Sequence, residues 1–354
     1  MLKTRNKPYT TTLAFIMKKC LLCQEREADK TGSHIVPHFL LKRIDNQIGA
    51  KGRDKELGFV IGKLETKSYF GRNVLPEELE KVYGEVNDEL IENNDISFIV
   101  DNFFCSTCET ELGKLESEYA LSLKKTAKRN TNYTSVKNKA IGFIFWISII
   151  WRISILENSG FKLKTKEENK LRRILKKYLA NSILDNNDQD LKNIGYKLLR
   201  SPNYPEGLAT FLHCSPFNVR PYSFIIDEYI LFFYFKSTYL NAMPSTFYGS
   251  EILIKDAEYN TPFTSETILS ISDIDLKKII QNFVNHGASI RMNEYVEILD
   301  ELHRKLGGKG KMDEKLKQKI LNNIASSTEP IGKKDSMENI RKIIITTMME
   351  NNKG

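Results

Sequence analysis

The reading turns on KKCLLCQEREADKTGSHIVPHFL, residues 18–40, taken together with FFCSTCE, residues 103–109. Each stretch carries a Cys-x-x-Cys pair, Cys20 with Cys23 and Cys105 with Cys108. A two-residue spacer lets a tight knuckle turn both sulfurs toward one point. Two such knuckles complete a tetrahedral four-thiolate shell with no open position, so a zinc ion held there is structural. Four thiolates also suit an iron–sulfur cluster. A redox dithiol and two pairs of unrelated buried thiols are the remaining readings. The 81 residues between Cys23 and Cys105 exceed a simple ribbon loop and imply an insertion.

Around these knuckles the chain runs to 354 residues, enough for two or three domains. Hydrophobic residues make up 41%, which supplies a core, and the 28% of charged residues is ordinary for a globular protein. A net charge of +8 points to a polyanionic partner, weakly on its own. No secretory signal is present, because the basic start is followed only by the short apolar run Leu13–Met17. The longest uncharged apolar run, Ala140–Trp151, is too short for a bilayer and ends at Arg152. The chain therefore reads as cytoplasmic, with no membrane partner, where cysteines serve as metal ligands more often than as disulfides. Met17 reads as a natural start, and residues 1–16 as a disordered or mis-called extension.

Residues 46–95 form the insertion, glycine-bearing at first, with a short strand near Phe59–Ile61. A helix over 76–93 opens on Pro76 and the acids Glu77, Glu78 and Glu80. Ile96–Phe104 reads as β and runs into Cys105, after which Leu112, Leu115 and Tyr119 share one helical face. Beyond about residue 130 the character changes. Ala140–Ile155 reads as a fully buried helix, and Leu171, Ile174, Leu175, Tyr178 and Leu179 as an amphipathic one. Phe224–Phe235 reads as a single central strand. Two helices follow, one ending at Gly287 and one closed by Gly307 and Gly308. His213 and Cys214 fall in an apolar context and read as core.

The order Cys-x-x-Cys, then Ser33-His34-Ile35-Val36-Pro37, then Cys105-x-x-Cys108-Glu109 opening a helix resembles zinc-supported HNH (His-Me finger) endonucleases. It is most similar to the bacterial subset that reads Ser-His-Ile-x-Pro followed by Cys-x-x-Cys-Glu. Phe145–Ser154, reading FWISIIWRIS, is similar to a Trp-Arg helix that follows the zinc module in those proteins, and Arg172 and Arg173 fall in a similar helix. About half the chain is covered. Several members of that subset are thought to act in anti-phage defence.

The resemblance implies a role for each matching residue. His34 is the general base that takes a proton from the water attacking a phosphodiester phosphorus, a task suited to imidazole near neutral pH. A catalytic magnesium or manganese ion stabilises the developing charge, with Ser33 and Glu109 at its ligand positions. Family members more often carry Asp and His or Asn there. Serine is a poor ligand and glutamate a good hard-oxygen one. Asn102 stands where a residue orients the base. His34 also admits a plainer role, packed beside the knuckle or replacing one thiolate. His38 is a candidate for phosphate contact, as are Lys42, Arg43, Lys124, Lys125 and Lys128, alongside Lys51, Arg53 and Arg129. Each cation reads equally as part of a solvated face. Glu111 and Glu116 are expected to point away from the groove.

The expectation is thus an α+β chain. Residues 17–130 form a zinc-stabilised ββα-metal (HNH-like) module with an insertion. Residues 131–354 form a mostly helical domain with a small β element, open to a protein partner or a second copy. The expected function is metal-dependent endonuclease hydrolysis of DNA. The alternatives are a non-catalytic zinc-binding module that grips nucleic acid or protein, and a helical regulatory protein that zinc merely staples.

Overall fold

The structure is a computed structural model that describes residues 18–45, 57–61, 66–71, 74–92, 94, 98–123, 128–134, 139–205, 210–213, 221–236, 238 and 247–351. The extension at 1–16, Lys51, Arg53, Lys124, Lys125 and Cys214 lie outside the described residues.

The fold is mixed α+β. In the N-terminal part, strand β1 (Ser33–His34) is followed by α1 (His38–Asp45), the hairpin β2 (Leu57–Ile61) and β3 (Thr66–Phe70), α2 (Pro76–Tyr83) and α3 (Asp88–Glu92). The chain then returns through β4 (Ile99–Val100) into α4 (Ser106–Ser122). β4 lies antiparallel to β1, with Ser33 opposite Val100 and His34 opposite Ile99. The insertion therefore hangs from one end of the two-stranded ladder that carries His34. The helix expected over 76–93 is split at Gly84, which turns out of helical conformation at φ 75° and ψ −120°. Among the described residues of the stretch 96–104, expected to be β, the strand covers Ile99 and Val100. Asn102 there adopts φ 58°, and a left-handed residue breaks extended pairing.

The second part has more β structure than expected. After β5 (Asn132–Thr134) come α5 (Lys139–Ile155), α6 (Thr165–Asn181), β6 (Gly195–Arg200), β7 (Phe211–His213), β8 (Tyr222–Ile226), β9 (Tyr229–Tyr234), α7 (Glu251–Asp256) and β10 (Thr267–Ser270). They build one six-stranded sheet in the order β5-β10-β6-β9-β8-β7, antiparallel except where β10 meets β6. β6 reads as polar because of Lys197 and Arg200, yet both are buried. Lys197 donates to the Ile254 carbonyl, and Arg200 pairs with Glu228 at 2.6 Å.

The run Phe224–Phe235 is a hairpin, not one strand. Asp227 and Glu228 form its two-residue turn, with Asp227 at φ 53°. Aspartate tolerates that left-handed position, so a charged dipeptide inside an apolar run signals a turn.

α5 is buried on every side from Ile141 to Ser154. Trp146 packs on Tyr229 of the sheet, ring centroids 5.7 Å apart. Trp151 meets Phe104 beside the second knuckle at 6.1 Å. One continuous cluster of buried residues consequently runs from Cys20 to Phe283, across residue 130. Where α5 meets the sheet, the buried Glu266 accepts hydrogen bonds from Tyr196 Oη at 2.6 Å, Tyr119 Oη at 3.0 Å and Trp146 Nε1 at 3.0 Å. Gly142 makes room for it. A Cβ there would sit 2.6 Å from Glu266 Oε1 and 2.7 Å from Cδ. Alanine is worth about 1 kcal/mol more than glycine inside a helix, yet Gly142→Ala is expected to destabilise by about 1–3 kcal/mol through overpacking. Urea unfolding measures it, and an unchanged or raised midpoint refutes the packing argument.

The chain ends in α8 (Asp273–Lys305), α9 (Glu314–Ala325), α10 (Ile331–Lys334) and α11 (Met337–Asn351). α8 runs unbroken through Gly287, whose φ is not positive. One interior glycine costs too little to end a helix, and the glycine of positive φ that follows the helix is Gly307, at φ 89°. The C-terminal half of α8 shares a separate small core with α9 and α11, centred on Leu299, Ile320 and Ile340. No described helix is long and apolar enough to cross a membrane.

Candidate metal centre and adjoining cleft

The first knuckle is a turn closed by Gln24 N–H donating to the Cys20 carbonyl at 2.8 Å, with Gln24 at φ 61°. It is stitched to the second by Leu21 N–H to the Phe103 carbonyl at 2.8 Å and Lys30 N–H to the Phe104 carbonyl at 3.0 Å. Cys105 caps α4, its sulfur accepting from Cys108 N–H at 3.5 Å, while Asp29 accepts from Ser106 N–H at 2.7 Å. The four Sγ atoms lie within 4.8 Å of one another, and Cys23 and Cys105 are 4.0 Å apart. A tetrahedral zinc with bonds near 2.3 Å requires edges of about 3.8 Å. The cluster could therefore hold a metal ion such as zinc after a small contraction. All four thiols are buried. Without an ion, the Cys108 thiol hydrogen-bonded to Cys20, helped by nearby backbone N–H groups, draws the Cys20 thiol down to about 4. The same hydrogen bond, with burial, pushes Cys108 up.

Beside this scaffold lies a polar cleft of about 290 Å³, bounded by Lys30, His34, His38, Glu109, Gly113 and Glu116. β1 delivers His34, and the start of α1, four residues on, delivers His38. The two rings meet edge to face with centroids 6.2 Å apart. Glu109, Gly113 and Glu116 fall at i, i+4 and i+7 on α4 and so share one face. Burial raises the pKa of Glu109, while the Ser33 hydroxyl and the Arg152 guanidinium act to lower it. Ser33 itself is fully buried, and its hydroxyl has no hydrogen bond of normal geometry.

Sequence reasoning missed Lys30 and misplaced Glu116. Instead of pointing away, Glu116 lines the cleft and pairs with Arg152 at 2.7 Å. Arg152, 2% exposed at the end of α5, also donates to the His34 carbonyl at 3.0 Å and the Ser148 carbonyl at 3.3 Å. The signal for it was an arginine in an otherwise apolar buried helix, since a buried guanidinium requires a partner.

Arg43 is corrected too. Expected to contact phosphate, it is instead bound to Asp227 at 3.3 Å, Glu228 at 3.4 Å and the Tyr204 carbonyl, since two buried acids at the hairpin turn need a cation. Lys42 is exposed one turn along α1 from His38. Lys128 is exposed and comes after α4, whose last residue stands roughly 20 Å along the helix axis from Glu109. Asn102 is exposed, its N–H donating to the Lys30 carbonyl at 2.8 Å, and is not among the cleft residues. Arg172 of α6 reaches the Leu22 carbonyl at 3.4 Å, bracing the first knuckle from behind. No protein-family model, no curated protein and no solved structure matches the chain.

Proposed function

We propose that the protein is a metal-dependent endonuclease of the ββα-metal type that hydrolyses phosphodiester bonds in DNA. The observation that carries this reading is the convergence of His34 and Glu109 in one polar cleft, built directly on the four-cysteine cluster. In this reading the cysteines hold a structural zinc that fixes the β1–β4 ladder against α4. His34, half-buried at the cleft, accepts the proton of the attacking water. Glu109 offers a hard oxygen for a magnesium or manganese ion, with the buried Ser33 hydroxyl beside it. Such an ion supplies Lewis acidity toward the phosphate and the leaving oxygen. Lys30, at the cleft, and Lys42, exposed one turn along α1 from His38, would meet substrate phosphates.

The test is a plasmid-nicking assay of the full chain with magnesium or manganese. The parent is expected to nick supercoiled DNA. His34→Ala should lower the rate about 10²–10⁴-fold, the ordinary worth of a general base, while retaining its zinc. A His34→Ala protein that cleaves at the parent rate refutes the assignment. A second reading, a non-catalytic zinc module that grips nucleic acid or protein, draws on Glu116 being bound to Arg152, which leaves the cleft one carboxylate for a metal. It predicts intact plasmid and retained binding.

A further inference from the structure

Residues 304–319 hold seven lysines and arginines against two acids, a surplus of five in a chain whose whole surplus is eight. The structure sorts these charges by direction. Both acids are used within the segment. Asp313 caps α9 by accepting from Leu316 N–H at 3.0 Å, and Glu314 pairs with Lys317 at 2.8 Å. Lys317 is the one cation turned inward, buried and bound to Asp300 at 2.8 Å. Asp300 also accepts from Met312 N–H at 2.9 Å. Met312, 2% exposed, pins the loop to the small core. The connection between α8 and α9 is thus held by buried anchors.

The remaining cations face outward. Lys305 pairs with Glu301 and Lys319 with Glu350, both exposed pairs of small worth. Among the described residues, no carboxylate lies within ion-pair distance of Lys309, Lys311 or Lys315. On α9, Lys317, Ile320 and Ile324 are buried, which places Lys315 and Lys319 on the opposite, solvent face. They stand one turn apart, about 6 Å along the axis, close to two steps of roughly 3.4 Å along one DNA strand. Gly307 and Gly310, at φ 89° and 79°, have open space where a side chain would stand, so a polyanion can approach the backbone closely at those two positions. An interfacial membrane segment needs a broad apolar face, and Leu306 is the only exposed large apolar residue of this segment.

We propose that the helix–loop–helix Arg304–Lys319 is a nucleic-acid-binding surface that grips the phosphate backbone of duplex DNA and is distinct from the His34 cleft. It shares DNA with the proposed function but requires no catalysis, so the two stand or fall separately. The test is fluorescence anisotropy of a labelled 30-base-pair duplex with the full chain, without added divalent metal, between 50 and 200 mM salt. Lys309→Gln/Lys311→Gln/Lys315→Gln is expected to weaken binding at least tenfold at the low-salt end. It should also cut the slope of log Kd against log salt by roughly 2.7, at about 0.9 for each phosphate no longer neutralised. Lys166→Gln/Lys236→Gln/Lys278→Gln, also exposed but elsewhere, matches the charge change and is expected to bind nearly as the parent does. All three proteins should melt together, since the substituted lysines are exposed. An unchanged slope, an equal weakening in the control triple, or a parent that ignores the duplex yet binds phosphatidylserine vesicles through these lysines would each overturn the proposal. Failure to nick plasmid with this binding intact would count against the endonuclease reading alone.

Discussion

Cys105→Ser, or a chelator that strips a metal from the four cysteines, is expected to unfold the N-terminal module, lowering the melting temperature by more than 10 °C and abolishing any cleavage. The reason is the small amount of regular structure that otherwise holds residues 18–45 to residues 98–123. The ladder between β1 and β4 pairs only two residues on each side. The knuckles add a few backbone bonds, such as Leu21 N–H to Phe103 and Lys30 N–H to Phe104. The cysteines themselves are part of the buried core beside Leu22, Ile35 and Phe104. In a small zinc module the binding free energy, of order 10–16 kcal/mol, is largely folding free energy. Losing one of four thiolates forfeits a large share of it. Cys105 also accepts the Cys108 N–H through its sulfur, so its loss removes the cap of α4 as well. Elemental analysis is expected to find one zinc per chain in the parent and none in the variant. Iron in the parent, or a melting curve indifferent to a chelator, would defeat the zinc assignment.

How far the sequence discloses this molecule depends on the range of the interaction. The knuckles were legible because two-residue spacing is a local constraint, and the structure gathers all four sulfurs. His34 and Glu109 were legible through a resemblance in linear order, and they do reach one cleft. Two failures share a cause in long-range pairing. Arg43 looked like a surface cation because its partners, Asp227 and Glu228, lie more than 180 residues away. The hairpin is a separate case: the two acids stand inside the apolar run and mark its turn, a local signal that the single-strand reading passed over. Lys197 and Arg200 hid β6 because their partners, the Ile254 carbonyl and Glu228, lie outside that strand. Such positions look polar to any local pattern because the groups that allow their burial belong to other elements.

Arg152→Met is the other substitution with a large expected effect, and it tests whether α5 supports the cleft. The guanidinium is almost fully buried and bridges three elements. It pairs with Glu116 of α4, donates to the His34 carbonyl of β1, and bonds back to Ser148 of its own helix. Methionine keeps most of the volume. It removes the cation that balances Glu116 and a donor to the strand that presents His34. Removing one member of a fully buried pair costs about 3–5 kcal/mol, mainly because the other charge is stranded; with Glu116 22% exposed in the cleft, the cost is expected at or below the low end of that range. Arg152→Lys is expected to recover only part of this, since one ammonium cannot keep the Nη1 bonds to Glu116 and the His34 carbonyl together with the Nε and Nη2 bonds to Ser148. Arg152→Met/Glu116→Gln should regain stability over Arg152→Met, because the stranded charge is then gone. Cleavage is not expected to return with it, because the His34 carbonyl still lacks its donor and β1 is no longer held against α5. Thermal melts of the four proteins, read beside plasmid nicking, separate the two effects. If Arg152→Met melts with the parent, Arg152 is not the buttress argued for; if the double variant restores nicking, only the charge mattered and the bond to β1 does not position His34.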